Sequence, residues 1–291
     1  VCSSDLVDKW EIKTRTENKG EAILPDIAEA IAEKCKKDGI AREDMEGIGI
    51  GIPAPVNEDG VVKNTANLGW GYKEVKRELE ELTGFKVEVG NDANMAALGE
   101  MWLGAGRGHK NLVMVTLGTG VGGGVIVGGR PLVGTNGAGG EIGHILANRQ
   151  ETDKCGCGKK GCLEQYASAT GIARLARIRL AKNNDMTLLR GQEITAKAVF
   201  DALKEGDKVA EEIVEEFGAY LGYALADVAA VIDPSMFIIG GGVSKAGPII
   251  IQYVKKYFLE KAFFANEGTE FIIAVLGNDA GICGAAKLIL G

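Results

Sequence analysis

Apolar positions along the first third of the chain recur at two different periods. Ile27, Ala30 and Ile31 follow Pro25 at helical spacing and stop before Gly39, which predicts a proline-started helix over 26–38. Val75, Leu79 and Leu82 repeat the pattern and stop at Gly84. Between these helices, 47–52 reads as a strand, and after Gly84 the alternation of Phe85, Val87 and Val89 predicts another that delivers Asn91 and Asp92. Residues 93–103 are again helical in pattern, and 112–117 is a β-branched run that ends in the glycines of LGTGVGGG. Those glycines lead into Val125, Ile126 and Val127 and then Gly128-Gly129, a hairpin signal, so the glycine loop is expected to join two strands.

The second half is more helical. Thr195 opens one helix, a longer one runs over 207–232, and a strand at 236–239 reaches Gly240, Gly241 and Gly242. A helix over 248–262, a strand over 270–275 and a closing helix after Asp279 complete the pattern. Alternating strands and helices predict an α/β protein, and the shift from strand-rich to helix-rich composition predicts two lobes. The boundary is placed near 111: residues 1–111 form a small lobe joined by the closing helix 280–291, and 112–279 form a large one.

Composition narrows the function classes. The 291 residues are 46% hydrophobic and 25% charged, a globular profile. A net charge of −7 offers no cationic field for a phosphate backbone, so nucleic acid is not an expected partner. The sequence contains no apolar run long enough for a membrane span and no charged segment leading into an apolar stretch at its start, which reads as a cytoplasmic protein with no membrane partner. Six cysteines are present, and three of them crowd into 155–162; in a reducing compartment such a cluster points to metal before disulfide.

Four constellations carry chemistry. His144 with Cys155, Cys157 and Cys162 supplies one imidazole and three thiolates, a complete tetrahedral set for structural Zn²⁺, with Gly156, Gly158 and Gly161 providing the tight turns. Glu141 and Glu164 flank that loop, and a metal that fixes the loop would fix two carboxylates suited to sugar hydroxyls. In GNDANMAALGE, Asn91 and Asp92 fall between strand and helix; an aspartate there can take a hydroxyl proton, though both residue types also serve as plain helix caps. LGTGVGGG exposes backbone N–H groups suited to phosphate oxygens, yet it lacks the Lys-Ser/Thr of a P-loop and is not followed by a helix. With 137–140 and 240–242, these glycines predict a cleft lined by bare backbone.

Taken together, these residues resemble the ROK family of sugar kinases and repressors, and within it the bacterial glucokinases, from Val7 onward. The most specific elements are EIGH at 141–144 and CGCGKKGCLE at 155–164; GIPAPV at 51–56, NTANLGW at 64–70 and IIGGG at 238–242 also match. The resemblance implies a two-lobe actin/hexokinase-like ATPase fold of the ribonuclease H-like class. It implies ATP-dependent phosphorylation of a hexose, glucose first, at the 6-hydroxyl, with fructose, mannose or an N-acetylhexosamine as alternatives and a sugar-responsive repressor as the rival from another class. It makes Asp92 the general base, Asn67, Asn91, Asp92, Glu141, His144 and Glu164 the hexose ligands, and Gly118, Thr119, Gly120, Gly122, Gly240, Gly241 and Gly242 the nucleotide contacts. It further implies structural Zn²⁺, ATP with Mg²⁺, and a homodimer or homotetramer. Family members open with an Asp-x-Gly-Gly-Thr phosphate turn that has no counterpart before Val7, so the resemblance implies a shortened N-terminus and weakened phosphate transfer.

Overall fold

The computed structural model describes residues 6–65 and 67–291; the expectation about residues 1–5 lies outside them. The first part carries the short turn α1 (Glu17–Gly20), helix α2 (Ile23–Asp38), strands β1 (Ile48–Ile52), β2 (Val61–Val62) and β3 (Lys73–Glu74), helix α3 (Val75–Thr83), strand β4 (Val87–Asn91) and helix α4 (Asp92–Leu103). There follow β5 (Leu112–Leu117), β6 (Val121–Val127), β7 (Arg130–Pro131), α5 (Glu164–Ala167), α6 (Ala169–Lys182), α7 (Ala196–Lys204) and α8 (Lys208–Ile232). The chain closes with β8 (Met236–Gly240), α9 (Ile249–Lys261), β9 (Glu270–Ile273) and α10 (Ala280–Leu290).

The predicted punctuation has a physical basis at each end. Gly39 and Gly84 end α2 and α3 in the left-handed conformation, with φ of 68° and 69°, where any side chain is strained. Thr195 and Asp207 cap α7 and α8 by accepting N–H bonds from the first turn. Gly128 and Gly129 both have positive φ, the requirement of the tight hairpin between β6 and β7. Two expectations change. Helix α2 starts at Ile23 rather than after Pro25, because a proline in the first turn forfeits only an N–H that has no helical partner. Helix α6 was not anticipated; Ser168 caps it through the N–H of Gly171, but its apolar residues sit in a run broken by arginines that obscures the period.

Five strands form one sheet in the order β7-β6-β5-β8-β9, with β5, β8 and β9 parallel and β6 and β7 antiparallel to their neighbours. Its two faces are covered differently. Val113, Val115, Leu117, Phe237 and Ile239 pack toward α5 to α9, whereas Leu112, Met114, Met236 and Ile238 pack on α4 and α10. On the other side of α4 and α10 lies a parallel pair, β1 and β4. The two helices approach this closely because a Cβ at Gly99 would strike the Ala280 carbonyl and one at Gly284 the Met95 carbonyl. Among the described residues, no helix is long and apolar enough to cross a membrane.

Candidate active site

Asn91 and Asp92 sit at the junction of β4 and α4, and the structure divides their tasks. The Asn91 Oδ1 accepts the N–H groups of Ala93 and Asn94 at 2.9 and 3.2 Å, and its amide nitrogen donates to the Ala54 carbonyl at 3.2 Å. The cap role is therefore taken by Asn91, which keeps one amide hydrogen for a ligand. Asp92 is left as the first helical residue, with Oδ1 accepting the Ala93 N–H at 2.8 Å. Its side chain reaches water at the rim of a cleft. The surrounding protein nevertheless disfavours the charged form, so burial raises its pKa above the ordinary aspartate value against the opposing pull of the Ala93 N–H.

That cleft has a volume of about 760 Å³ and is bounded by Asp92, Thr116, Glu164, Lys245 and Asn278 together with Gly118, Gly120, Gly122, Gly241 and Gly242. The two glycine segments meet because β5 and β8 are parallel neighbours, with Thr116 opposite Gly240. This is the position outside the carboxyl ends of parallel strands where α/β sheets bind ligands. At Gly241, φ is 83° and a Cβ would lie 2.6 Å from the Leu117 backbone, so only glycine fits there.

Several expected contacts are placed elsewhere. Thr119 is exposed and does not line the cleft; its carbonyl accepts the Thr170 hydroxyl at 2.8 Å. Gly240 is buried at the end of β8 with Met114 against it, so it supports the wall without facing the cleft. Gly137, Gly139 and Gly140 are not cleft backbone: a Cβ at each would strike the chain at Val56, Leu132 and Gly123, which makes them sites of chain-on-chain packing. Gly124 likewise lets α4 approach β6, since a Cβ there would collide with the Ala93 carbonyl. Asn67 is exposed on the loop between β2 and β3 and lies outside the cleft lining.

The cysteine loop reaches the cleft through Glu164. Gly158 and Gly161, with φ of 85° and 77°, turn it back on itself, and Gln165 accepts the N–H groups of Gly161 and Cys162 while donating to the Asp153 carbonyl. His144, Cys155, Cys157 and Cys162 bring one ligand atom each to within 4.8 Å of one another. The Cys157 and Cys162 sulfurs are 3.6 Å apart, and the Cys155 sulfur is 3.9 Å from His144 Nδ1. The edges of a tetrahedron with metal bonds of about 2.3 Å are about 3.8 Å, so this donor set fits Zn²⁺. Burial pushes the Cys155 thiol up to about 12. His144 turns its other nitrogen, Nε2, toward Glu141 at 3.8 Å, and both side chains are open to solvent. Glu164 joins the loop to the cleft: Oε2 accepts the Val121 N–H at 3.1 Å, and Oε1 lies 3.5 Å from the Cys155 sulfur.

Thr116, Ser244, Lys245, Asn278 and Gln165 were missed by sequence reasoning. Lys245 lies three residues after the glycine triplet, and that proximity was the available signal for the cleft's cation.

Comparisons with known proteins agree with this geometry. A glucokinase from Halalkalibacterium halodurans is 43% identical, with 99% of this chain and 89% of the relative aligned. A glucokinase from Thermotoga maritima is 38% identical over 98% of this chain and 90% of its own. The structure is also similar to a ROK family glucokinase from Streptomyces griseus in complex with glucose and AMPPNP, with a TM-score of 0.77, 34% identity and coverage of 98% of this chain and 92% of the other. The profile of the ROK family matches residues 3–291, and on that extent of agreement the chain belongs to the ROK family.

Proposed function

We propose that the protein is an ATP-dependent hexose kinase that phosphorylates glucose at the 6-hydroxyl. The observation that carries this reading is a single cleft holding Asp92 at one side and the phosphate-suited backbone of Gly118, Gly120, Gly122 and Gly241-Gly242, with Lys245, at the other. The glucokinase relatives and the glucose and AMPPNP complex of a similar structure support it.

In this reading Asp92 accepts the proton of the attacking hydroxyl, for which a pKa raised by burial makes it a stronger base than an ordinary aspartate. The free hydrogen of the Asn91 amide, Glu141, Glu164 and His144 Nε2 supply the directional contacts to sugar hydroxyls. Asn67 joins them when its loop moves inward. The part around β1 to β4 closes toward the sheet of β5 to β9 by turning about α4 and α10, which stay packed on that sheet, and excludes water around the sugar, which limits ATP hydrolysis. Lys245 and the glycine N–H groups hold the phosphates, and Mg²⁺ bound with ATP would supply further neutralisation of the transferring charge. The residues His144, Cys155, Cys157 and Cys162 would hold one structural Zn²⁺, which fixes the loop that bears Glu141 and precedes Glu164.

A coupled assay over a panel of hexoses and phosphoryl donors tests the proposal. Glucose with ATP should give the highest kcat/KM, with glucose 6-phosphate as product. Absence of turnover on every hexose, or a clear preference for another sugar, would overturn it.

A further inference from the structure

Helix α4 begins at Asp92 and, two turns later, carries a carboxylate that no sugar or nucleotide reaches. Glu100 is fully buried in a stretch that is otherwise apolar or glycine, and among the described residues no cation lies within ion-pair distance of it. Its charge is answered by backbone instead. Oε1 accepts the N–H groups of Val275 and Leu276 at 3.0 and 2.8 Å, and Oε2 accepts that of Ala105 at 2.8 Å. Hydrogen bonds to an ionised acceptor are about twice as strong as neutral ones, and a buried carboxylate deprived of them is costly.

The partners' location gives this cluster its meaning. Val275 and Leu276 lie in the turn that leaves β9, and Ile273, Ala274, Val275, Gly277 and Asn278 line the same cleft as Gly241 and Lys245. The helix that presents the base is thereby tied to the wall on the phosphoryl-donor side, and phosphoryl transfer depends on that mutual position.

Resting on the hexose kinase reading, we propose that Glu100 is a positioning residue: it holds the 273–278 wall in register with Asp92, so that its loss loosens nucleotide binding and in-line placement while leaving the sugar side in place. The sugar side is spared because Asn91, Glu141 and Glu164 are held by their own bonds to Ala54, to the 142–144 turn and to Val121.

The test compares Glu100→Ala, Glu100→Gln and Leu276→Pro with the unaltered chain. Calorimetry reads AMPPNP and glucose binding separately, steady-state kinetics read KM for each substrate and kcat, and circular dichroism reads folding. Leu276→Pro deletes one of the donated N–H groups at a position whose φ of −80° proline accepts, so it probes the same link from an exposed loop if Glu100→Ala fails to fold. Glu100→Ala should weaken AMPPNP about tenfold or more and change glucose binding by less than about twofold. Glu100→Gln should recover only part of the loss, since its amide oxygen still accepts from Val275 and Leu276 while its NH2 opposes the Ala105 N–H. Leu276→Pro should weaken AMPPNP alone. Equal shifts for the two ligands, or no shift in a folded variant, would overturn the proposal. If the unaltered chain phosphorylates no hexose, the functional reading fails, while the AMPPNP comparison still decides the role of Glu100.

Discussion

Gly120 has no room for a side chain because the carboxylate of Glu164 occupies that space: a Cβ on Gly120 would collide with Oε2, the same oxygen that accepts the Val121 N–H. The glycine turn after β5 and the cysteine loop are thus a single unit, closed by one carboxylate. Gly120→Ala should displace Glu164 from both the turn and the sugar side. Loss of one charge-assisted bond predicts a fall in kcat/KM of roughly tenfold to a hundredfold, with thermal stability little altered. In a Glu164→Ala background the same substitution should add almost nothing, and a double-mutant cycle of kcat/KM measures that coupling.

Asp92→Asn should lower kcat by about 10²–10⁴ with glucose binding retained, because it removes a proton acceptor and leaves the Asn91 cap intact. The pH dependence has a definite sign. Burial raises the Asp92 pKa, so the unaltered enzyme should lose kcat/KM as pH falls through a midpoint above that of an ordinary aspartate. For stability the sign is opposite. The folded state binds this proton more tightly than the unfolded chain does, so the Asp92 contribution declines as pH rises through the raised pKa. Asp92→Asn should therefore abolish the acidic limb of the residual rate and cost no stability at neutral pH. A pH–rate profile with an unchanged acidic limb would assign that limb to another group.

What could be read in the sequence was local. Gly39 and Gly84 ended helices by needing positive φ, Thr195 and Asp207 opened them, and His144 with three cysteines announced a tetrahedral donor set within one short segment. What the sequence did not show depends on strand pairing. The glycines of 117–124 look alike in sequence, yet in β6 Gly122 and Gly124 face α4, with Gly122 at the cleft, while Gly123 faces Gly140 on the other side, because alternate residues of a strand face opposite ways. Lys245 and Asn278 reach the site only because β8 lies beside β5 and β9 beside β8 in the sheet. Glu100 gave a signal of another kind, a lone acid within an apolar helix face, and two of its three partners lie 175 and 176 residues away along the chain.

One Zn²⁺ per chain should be found by elemental analysis of protein purified without chelator. Its removal should lower both the melting temperature and glucose affinity, because the His144 and cysteine set anchors the loop on which Glu141 sits and against which Glu164 rests. Cys157→Ser, at the exposed ligand, should reproduce the effect in milder form. Glucose affinity unchanged after complete zinc removal would separate the metal from the sugar side.

The cysteine loop has a second anchor that titrates. Glu151 lies between His144 and the first cysteine with its side chain only 7% exposed. Burial by itself would raise its pKa, but the Tyr166 hydroxyl, the Asp153 N–H at 2.9 Å and Arg174 at 2.9 Å prevail and hold it at about 2, against an ordinary value of 4.5. A carboxylate whose folded pKa is depressed contributes stability that is fully present above the unfolded pKa and is lost as pH falls toward the folded one. The window therefore runs from about 4.5 down to about 2. With allowance for solvent screening near the loop surface, the contribution is on the order of 2–3 kcal/mol. Glu151→Gln keeps the shape but cannot titrate, so it should be less stable than the unaltered chain at pH 7, and the gap should narrow progressively below pH of about 4.5. Urea unfolding of the two proteins at matched pH measures the gap directly. A gap that stays constant from neutral to acid pH would show that Glu151 holds the loop through packing and not through its charge.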